Sequence, residues 1–251
     1  MKILGSDFDG TLNYGGMTEE KLEAVRRWRR AGHKFGIVSG RGVNFPDQLM
    51  KDFVELEYDF CAACNGGYIT DREGCVIYEA TCDSVDFLGF YSDLFAWGCK
   101  YIHVNTDRYV CVAECDEDIP SYIPEEDRTR LCDLPPIDSF HQVSVALPSF
   151  EKTAEVIEKI RKKYGASLDP LQNNKCIDIV PIGVNKAEGL YRVAEHFGID
   201  KDSIIAVGDN INDADMIREF KSYAMENGVE SVKAMAYGIV KSVTEILEKE
   251  L

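Results

Sequence analysis

Nowhere in this chain does an apolar run approach the ~18 residues needed to cross a bilayer, and acid appears at Asp7, too early for a secretory leader. No internal repeat or low-complexity tract is visible. Positive charge is scarce: 28 Lys and Arg stand against 44 Asp and Glu, a formal charge of −16, which disfavours binding to nucleic acid or anionic membrane. The four histidines (His33, His103, His141 and His196) share no metal-ligand spacing and are assigned no role. Cysteine is not scarce, but nine is an odd number, and several lie in apolar runs such as Cys61-Ala62-Ala63-Cys64. They read as reduced thiols packing like small apolar residues, and the cytoplasm is the expected location.

What is present is ordinary globular composition, 45% hydrophobic and 29% charged, in 251 residues that suit one large domain or two smaller ones. Short apolar segments alternate with amphipathic ones at both ends. Lys2 to Ser6 predicts a strand; Thr18 then looks like an N-cap before acidic Glu19 and Glu20, apolar Leu22, Val25 and Trp28, and the stop at Gly32. Lys34 to Ser39 and Asp59 to Cys64 predict further strands, followed by a hairpin over Tyr68 to Tyr78. Near the end, helices are expected over Lys186 to Phe197, Asp213 to Phe220 and Val243 to Leu251, with a buried strand at Ser203 to Val207. These ends predict an α/β fold, a Rossmann-like, mostly parallel sheet with helices on both faces.

The middle has a different grain. A helix over Ser84 to Ala96 and another from Phe150 to Tyr164 accompany strands at Lys100 to Val104, Tyr109 to Ala113, Gln142 to Leu147 and Cys176 to Val180. Asp116 to Pro136, with four of the eight prolines, reads as an irregular excursion, and Glu114 to Asp118 as a solvated loop. The expected organisation is a core of residues 1–81 and 182–251 interrupted by an inserted α+β domain of residues 82–181.

Chemistry concentrates at Asp7-Phe8-Asp9-Gly10-Thr11, two carboxylates at i and i+2 directly after a buried strand. In an open α/β sheet the carboxyl ends of the strands form the ligand crevice. Alone, such a pair could equally be loop or capping acids. Three other stretches fall at strand ends or helix starts of the same sheet: Ser39-Gly40-Arg41, Lys186, and Gly208-Asp209-Asn210-Ile211-Asn212-Asp213. Their types are complementary: a hydroxyl, an ammonium and backbone N–H groups can hold phosphate oxygens, while three or more acids can hold magnesium. A lysine at the positive end of a helix needs an anionic partner to offset the dipole.

These four stretches, in this order, resemble the motifs of the haloacid dehalogenase-like phosphatases, and the resemblance spans the chain. Asn65-Gly66-Gly67-Tyr68-Ile69 and Val184-Asn185-Lys186-Ala187 resemble segments of the Cof-type branch of sugar-phosphate and cofactor phosphatases. Near the C-terminus only Val243-Thr244 remains of that branch's usual run, followed by a plain amphipathic helix.

The resemblance implies a Mg2+-dependent phosphomonoester hydrolase with the inserted domain as a cap. Asp7 would be the nucleophile that becomes an aspartyl-phosphate, and Asp9 the acid and base. Ser39 and Lys186 would hold the transferring group, with Gly10, Thr11, Gly40, Arg41 and Asn212 as further phosphate or substrate contacts. Asp7, Asp9 (through its carbonyl), Asp209 and Asp213 would hold the metal. Asp213 could instead cap the next helix, and Arg41 could pair with a surface acid. The partner implied is a small phosphorylated metabolite. A phosphomutase of the same superfamily and a phospho-receiver are the competing readings.

Overall fold

The computed structural model describes residues 1–121 and 123–251; Tyr122, inside the expected acidic excursion, lies outside the described residues. In chain order the strands are β1 Ile3–Ser6, β2 Lys34–Val38, β3 Phe60–Ala63, β4 Tyr68–Asp71, β5 Val76–Glu79, β6 Tyr101–Asn105, β7 Tyr109–Ala113, β8 Arg128–Arg130, β9 Gln142–Ala146, β10 Leu168–Asn173, β11 Cys176–Pro181, β12 Ile204–Gly208, β13 Lys221–Met225 and β14 Gly238–Val240. The helices are α1 Glu19–Arg30, α2 Phe45–Asp52, α3 Phe87–Ala96, α4 Phe150–Tyr164, α5 Lys186–Phe197, α6 Ala214–Glu219, α7 Glu230–Lys233 and α8 Val243–Glu250.

The chain divides into two compact units. One comprises Met1–Arg41, Phe45–Glu79 and Asn185–Leu251; the other comprises Gly42–Asn44 and Ala80–Val184. The first is built on an eight-stranded sheet of order β14-β13-β12-β1-β2-β3-β4-β5, parallel from β14 to β3 and antiparallel over the β3-β4-β5 meander. This is the α/β architecture expected. Strand alternation sends neighbouring residues to opposite faces. Leu4, Ile37 and Val207 join one core with Val25 and Trp28 of α1 and Ile246 of α8. Ile3, Val38 and Ala206 join another with Leu190 and Val193 of α5 and Ile217 of α6.

From β1 the chain proceeds outward through β2 and β3, and later returns to β12 on the other side of β1. That reversal opens a crevice at the carboxyl ends of β1 and β12. The N-cap at Thr18 forms, its Oγ1 accepting from Lys21 N–H at 3.4 Å. The expected stop at Gly198 is also met, in a left-handed conformation at φ 63°.

In the second unit a six-stranded sheet of order β10-β11-β9-β6-β7-β8 is antiparallel except for the β7–β8 pair. Phe90 and Leu94 of α3 and Val156 and Ile160 of α4 share a core with Ile102, Val104, Val143, Val145 and Ile177 of the sheet. Residues 42–44 group with this unit, Val43 N–H donating to Asn105 Oδ1 at 3.2 Å.

The stretch 116–136, read as irregular, holds short turns and the three-residue strand β8. None of the nine cysteines is disulfide-bonded. Cys61 and Cys64 do have the two-residue spacing of a redox or zinc pair, but Cys61 sits buried in β3 and Cys64 begins the following turn, and the two are not bonded.

Candidate active site

The pairing of β1 with β12 runs one residue past the strand, because Asp7 N–H donates to the Val207 carbonyl at 2.9 Å. Asp7 therefore stands beside the start of the Gly208–Asp213 turn. Gly10 follows at φ 80°, a left-handed backbone, and a Cβ there would lie 2.5 Å from Asp209 Oδ2. Only glycine allows the two motifs this approach. Thr11 Oγ1 donates to Asp209 Oδ1 at 2.8 Å, so its buried hydroxyl serves the second acid.

Lys186 opens α5 and is fully buried. Its Nζ donates to Asp7 Oδ1 at 2.7 Å and to Asp213 Oδ1 at 2.5 Å, which supplies the anionic partners expected at a helix start. Asn185 caps that helix by accepting from Glu188 N–H at 2.9 Å. Close packing brings the helix in: a Cβ on Gly189 would lie 2.7 Å from the Gly66 Cα.

Asp213 is likewise fully buried, and its Oδ2 accepts from the N–H groups of Asp209 and Asn210 at 2.8 and 2.9 Å. Asp213 precedes α6 without a side-chain cap hydrogen bond, so it does not cap the next helix; its side chain instead closes the capping box of the preceding turn and pairs with Lys186. Asn212 lies in the same short turn, half-buried.

Asp7, Asp209 and Asp213 each bring an oxygen within 4.8 Å of the others. Three carboxylates thus face one ammonium. Burial, opposed by Lys186 and reinforced by Asp213, pushes the Asp7 carboxyl up to about 8, and burial raises Asp209 as well. Burial lowers Lys186, but Asp213 and Asp7 more than offset this and hold it charged above its ordinary range. A nucleophilic carboxylate must be ionised near neutrality, and a hard divalent cation among these oxygens would restore that charge. The donor set fits such an ion.

Ser39 is buried after β2, with its Oγ accepting from Arg41 N–H at 3.2 Å. Its loop is braced by the Asn65 turn, where Cys64 and Asn65 donate to the Arg41 and Ser39 carbonyls at 2.7 and 2.9 Å. Gly40 lies between them. The Asp9 side chain, more than half exposed, does not join the three clustered acids; it pairs with Arg41. The alternative left open for Arg41, an ion pair, is therefore the one formed, with an acid of the site itself.

The motif that begins with Asp7 lies near the start of a longer match: a family model for haloacid dehalogenase-like hydrolases covers residues 4–246. The chain belongs to that family. Over 255 residues this hydrolase is 25% identical to a 5-amino-6-(5-phospho-D-ribitylamino)uracil phosphatase of Escherichia coli, covering 94% of the chain and 89% of the relative. It is 24% identical over 255 residues to a Streptococcus pyogenes protein named for phosphatase and peptidyl-prolyl cis-trans isomerase activities, and spans 51% of that protein's length. The hydrolase shares its fold with the HAD subclass IIB sugar phosphatase BT4131 at a TM-score of 0.80 and 19% identity, over 100% and 99% of the two chains. Its place in the Cof-type branch agrees with these likenesses.

Two residues that serve this hydrolase's site carry no motif. Lys21, buried in the first turn of α1, donates to the carbonyls of Leu12, Tyr14 and Gly16 at 2.9, 2.6 and 2.9 Å and so closes the turn that follows Asp9. Asn227 Nδ2 donates to the Gly10 carbonyl at 2.9 Å. The signal for Lys21 was a cation where the helix dipole disfavours one; Asn227-Gly228 offered only a turn dipeptide.

Proposed function

We propose that this hydrolase is a Mg2+-dependent phosphomonoesterase acting on a small phosphorylated metabolite through an aspartyl-phosphate on Asp7. The observation that carries the reading is the convergence of Asp7, Lys186, Asp209 and Asp213, from three distant parts of the chain, at the crevice beside β1 and β12. Asp7 Oδ would attack phosphorus, forming an acyl phosphate as the ester P–O bond breaks; Asp9 would give its proton to the leaving oxygen. Water then adds to phosphorus and gives a proton to Asp9, releasing inorganic phosphate and free Asp7. Lys186 and Ser39 would hold the transferring oxygens. A bound Mg2+, held by Asp7, Asp209 and a main-chain oxygen, would neutralise charge between nucleophile and phosphate. Asp213, whose oxygens already accept from Lys186 and two N–H groups, would orient the lysine and the Asp209 turn.

The ribityl and sugar phosphates in the relatives' names favour a polyhydroxylated phosphomonoester, and the second unit would be the cap that selects it. A phosphate-release screen over such esters, with and without Mg2+, tests the reading. Asp7→Asn is expected to abolish release while the melting temperature stays near that of the parent. Turnover that survives this substitution rejects the covalent route.

A further inference from the structure

An aspartate exposed as far as Asp9, at 57% of its side chain, ordinarily samples several rotamers. Here it is held by a fork. Arg41 Nε donates to Asp9 Oδ2 and Nη2 donates to Oδ1, both at 2.7 Å, the bidentate geometry that fixes the plane of a carboxylate as well as its distance. The guanidinium is itself held: its carbon lies 5.1 Å from the Phe8 ring centre and 4.9 Å from that of Phe45. Those two rings are fully buried and meet edge to face at 5.1 Å. The Arg41 main chain is tied at both ends, by its N–H to Ser39 Oγ and by its carbonyl to Cys64 N–H. Orientation thus passes from the buried aromatic pair to a flat cation and from there to Asp9.

Half-exposed ion pairs add little to stability, so the order this arrangement imposes is its main physical consequence. We propose that Arg41 is a positioning residue for proton transfer, holding the Asp9 carboxyl where it meets the leaving oxygen and, in the second step, the attacking water. This rests on the acid–base role proposed above for Asp9. Lysine, a point charge without a fork, could not substitute. A direct substrate contact by Arg41 is the competing account.

The test measures kcat/KM over phosphomonoesters whose leaving groups run from alkyl alcohols to nitrophenol, together with the inhibition constant of inorganic phosphate. The proteins are the parent, Arg41→Ala, Arg41→Lys, Phe45→Leu and Asp9→Asn, each with its melting temperature. For Arg41→Ala, kcat/KM is expected to fall at least ~10-fold on alkyl phosphates, a fraction of the 10²–10⁴ that general acid–base catalysis supplies, and less than about 3-fold on nitrophenyl phosphate, which needs no proton to leave. Phosphate inhibition should stay unchanged. Arg41→Lys should fail to restore the alkyl esters, and Phe45→Leu should show a weaker loss with the same leaving-group dependence.

An equal loss on every ester with weakened phosphate inhibition makes Arg41 a substrate contact and overturns the proposal. Unchanged kinetics, or full rescue by lysine, reduce it to a surface ion pair and overturn it as well. Asp9→Asn separates the two levels. If its loss ignores the leaving group, the acid role of Asp9 falls and takes this inference with it; if Asp9→Asn shows the dependence and Arg41→Ala does not, only the inference about Arg41 falls.

Discussion

Asp209 and Asp213 belong to one motif and read alike in sequence, yet their surroundings divide their tasks. Asp213 is fully buried and surrounded by donors, Lys186 Nζ on one oxygen and two N–H groups on the other. An amide in its place must turn an NH2 toward one of those donors, leaving a buried group unpaired at about 2–4 kcal/mol. Asp213→Asn is therefore expected to lower the melting temperature by several degrees and to cost activity through Lys186. Asp209 is only partly buried, and its Oδ1 accepts from the Thr11 hydroxyl rather than from a buried ammonium, so Asp209→Asn should melt near the parent. Its loss should appear as a Mg2+ activation constant raised about 10-fold or more. Thermal melts paired with Mg2+ titrations decide this division; an equal metal defect in Asp213→Asn with an unshifted melt would make Asp213 a ligand.

At the level of elements, α1 shows how much was legible and what was not. Its Thr18 cap, acidic first turn and apolar Leu22, Val25 and Trp28 were plain in the sequence, and each does what its type suggests. Lys21 was not interpretable, because its three acceptors belong to the preceding turn and no local pattern records where that turn folds back. The site motifs were readable since close packing forces specific residues, a glycine beneath Asp209 and a cation between two acids. By contrast α2, β13 and β14 escaped. The first is two turns long; Lys221–Met225 has no β-branched residue, and Gly238–Val240 has three residues, so neither carries a strong strand signal. They exist because a neighbouring strand and a packed helix complete them. Lys21→Met tests the element-level view. It keeps the aliphatic stem but leaves three carbonyls without their donor, so a loss of about 2–3 kcal/mol is expected. Proteolysis should accelerate within residues 13–17, and kcat should fall more than KM changes; unaltered cleavage there would mean the turn closes without the lysine.

The two units differ in how they should respond to acid, and the sequence happens to place one tryptophan in each. In the second unit His103 stacks on Tyr109 with ring centres 5.2 Å apart, and Tyr109 hydroxyl and His103 Nδ1 are hydrogen-bonded. Burial presses this imidazole down from 6.5 to about 4. The folded form then binds fewer protons than the unfolded chain between those values, so stability is complete above about pH 6.5 and declines as pH falls toward 4, by up to roughly 3 kcal/mol. In the first unit burial lowers His33 in the same sense, but the raised Asp7 makes the folded form hold an extra proton below about pH 8 and so acts in the opposite direction; the remaining sensitive groups are carboxylates. Burial would raise Asp59, but Arg29, the Phe35 N–H and Lys34 more than offset it; burial likewise opposes Lys221 and Tyr223 at Glu250, and both acids end below their ordinary range. Their contribution is complete above the ordinary values, 3.8 for Asp59 and 4.5 for Glu250, and is lost as pH falls from there through the lower folded values. Acid should therefore loosen the second unit first. Trp28, buried with Nε1 donating to the Lys34 carbonyl at 2.9 Å, reports on the first unit, and Trp97, packed on the α3–α4 core, on the second. In urea titrations of Trp28→Phe and Trp97→Phe variants, the Trp97 signal should show a midpoint that falls between pH 6.5 and 4.5, while the Trp28 midpoint should fall less, because the raised Asp7 opposes the lowered His33 there. His103→Gln should flatten the first profile. If both tryptophans shift together in that window and still do so without His103, the imidazole is not what couples this molecule to acid.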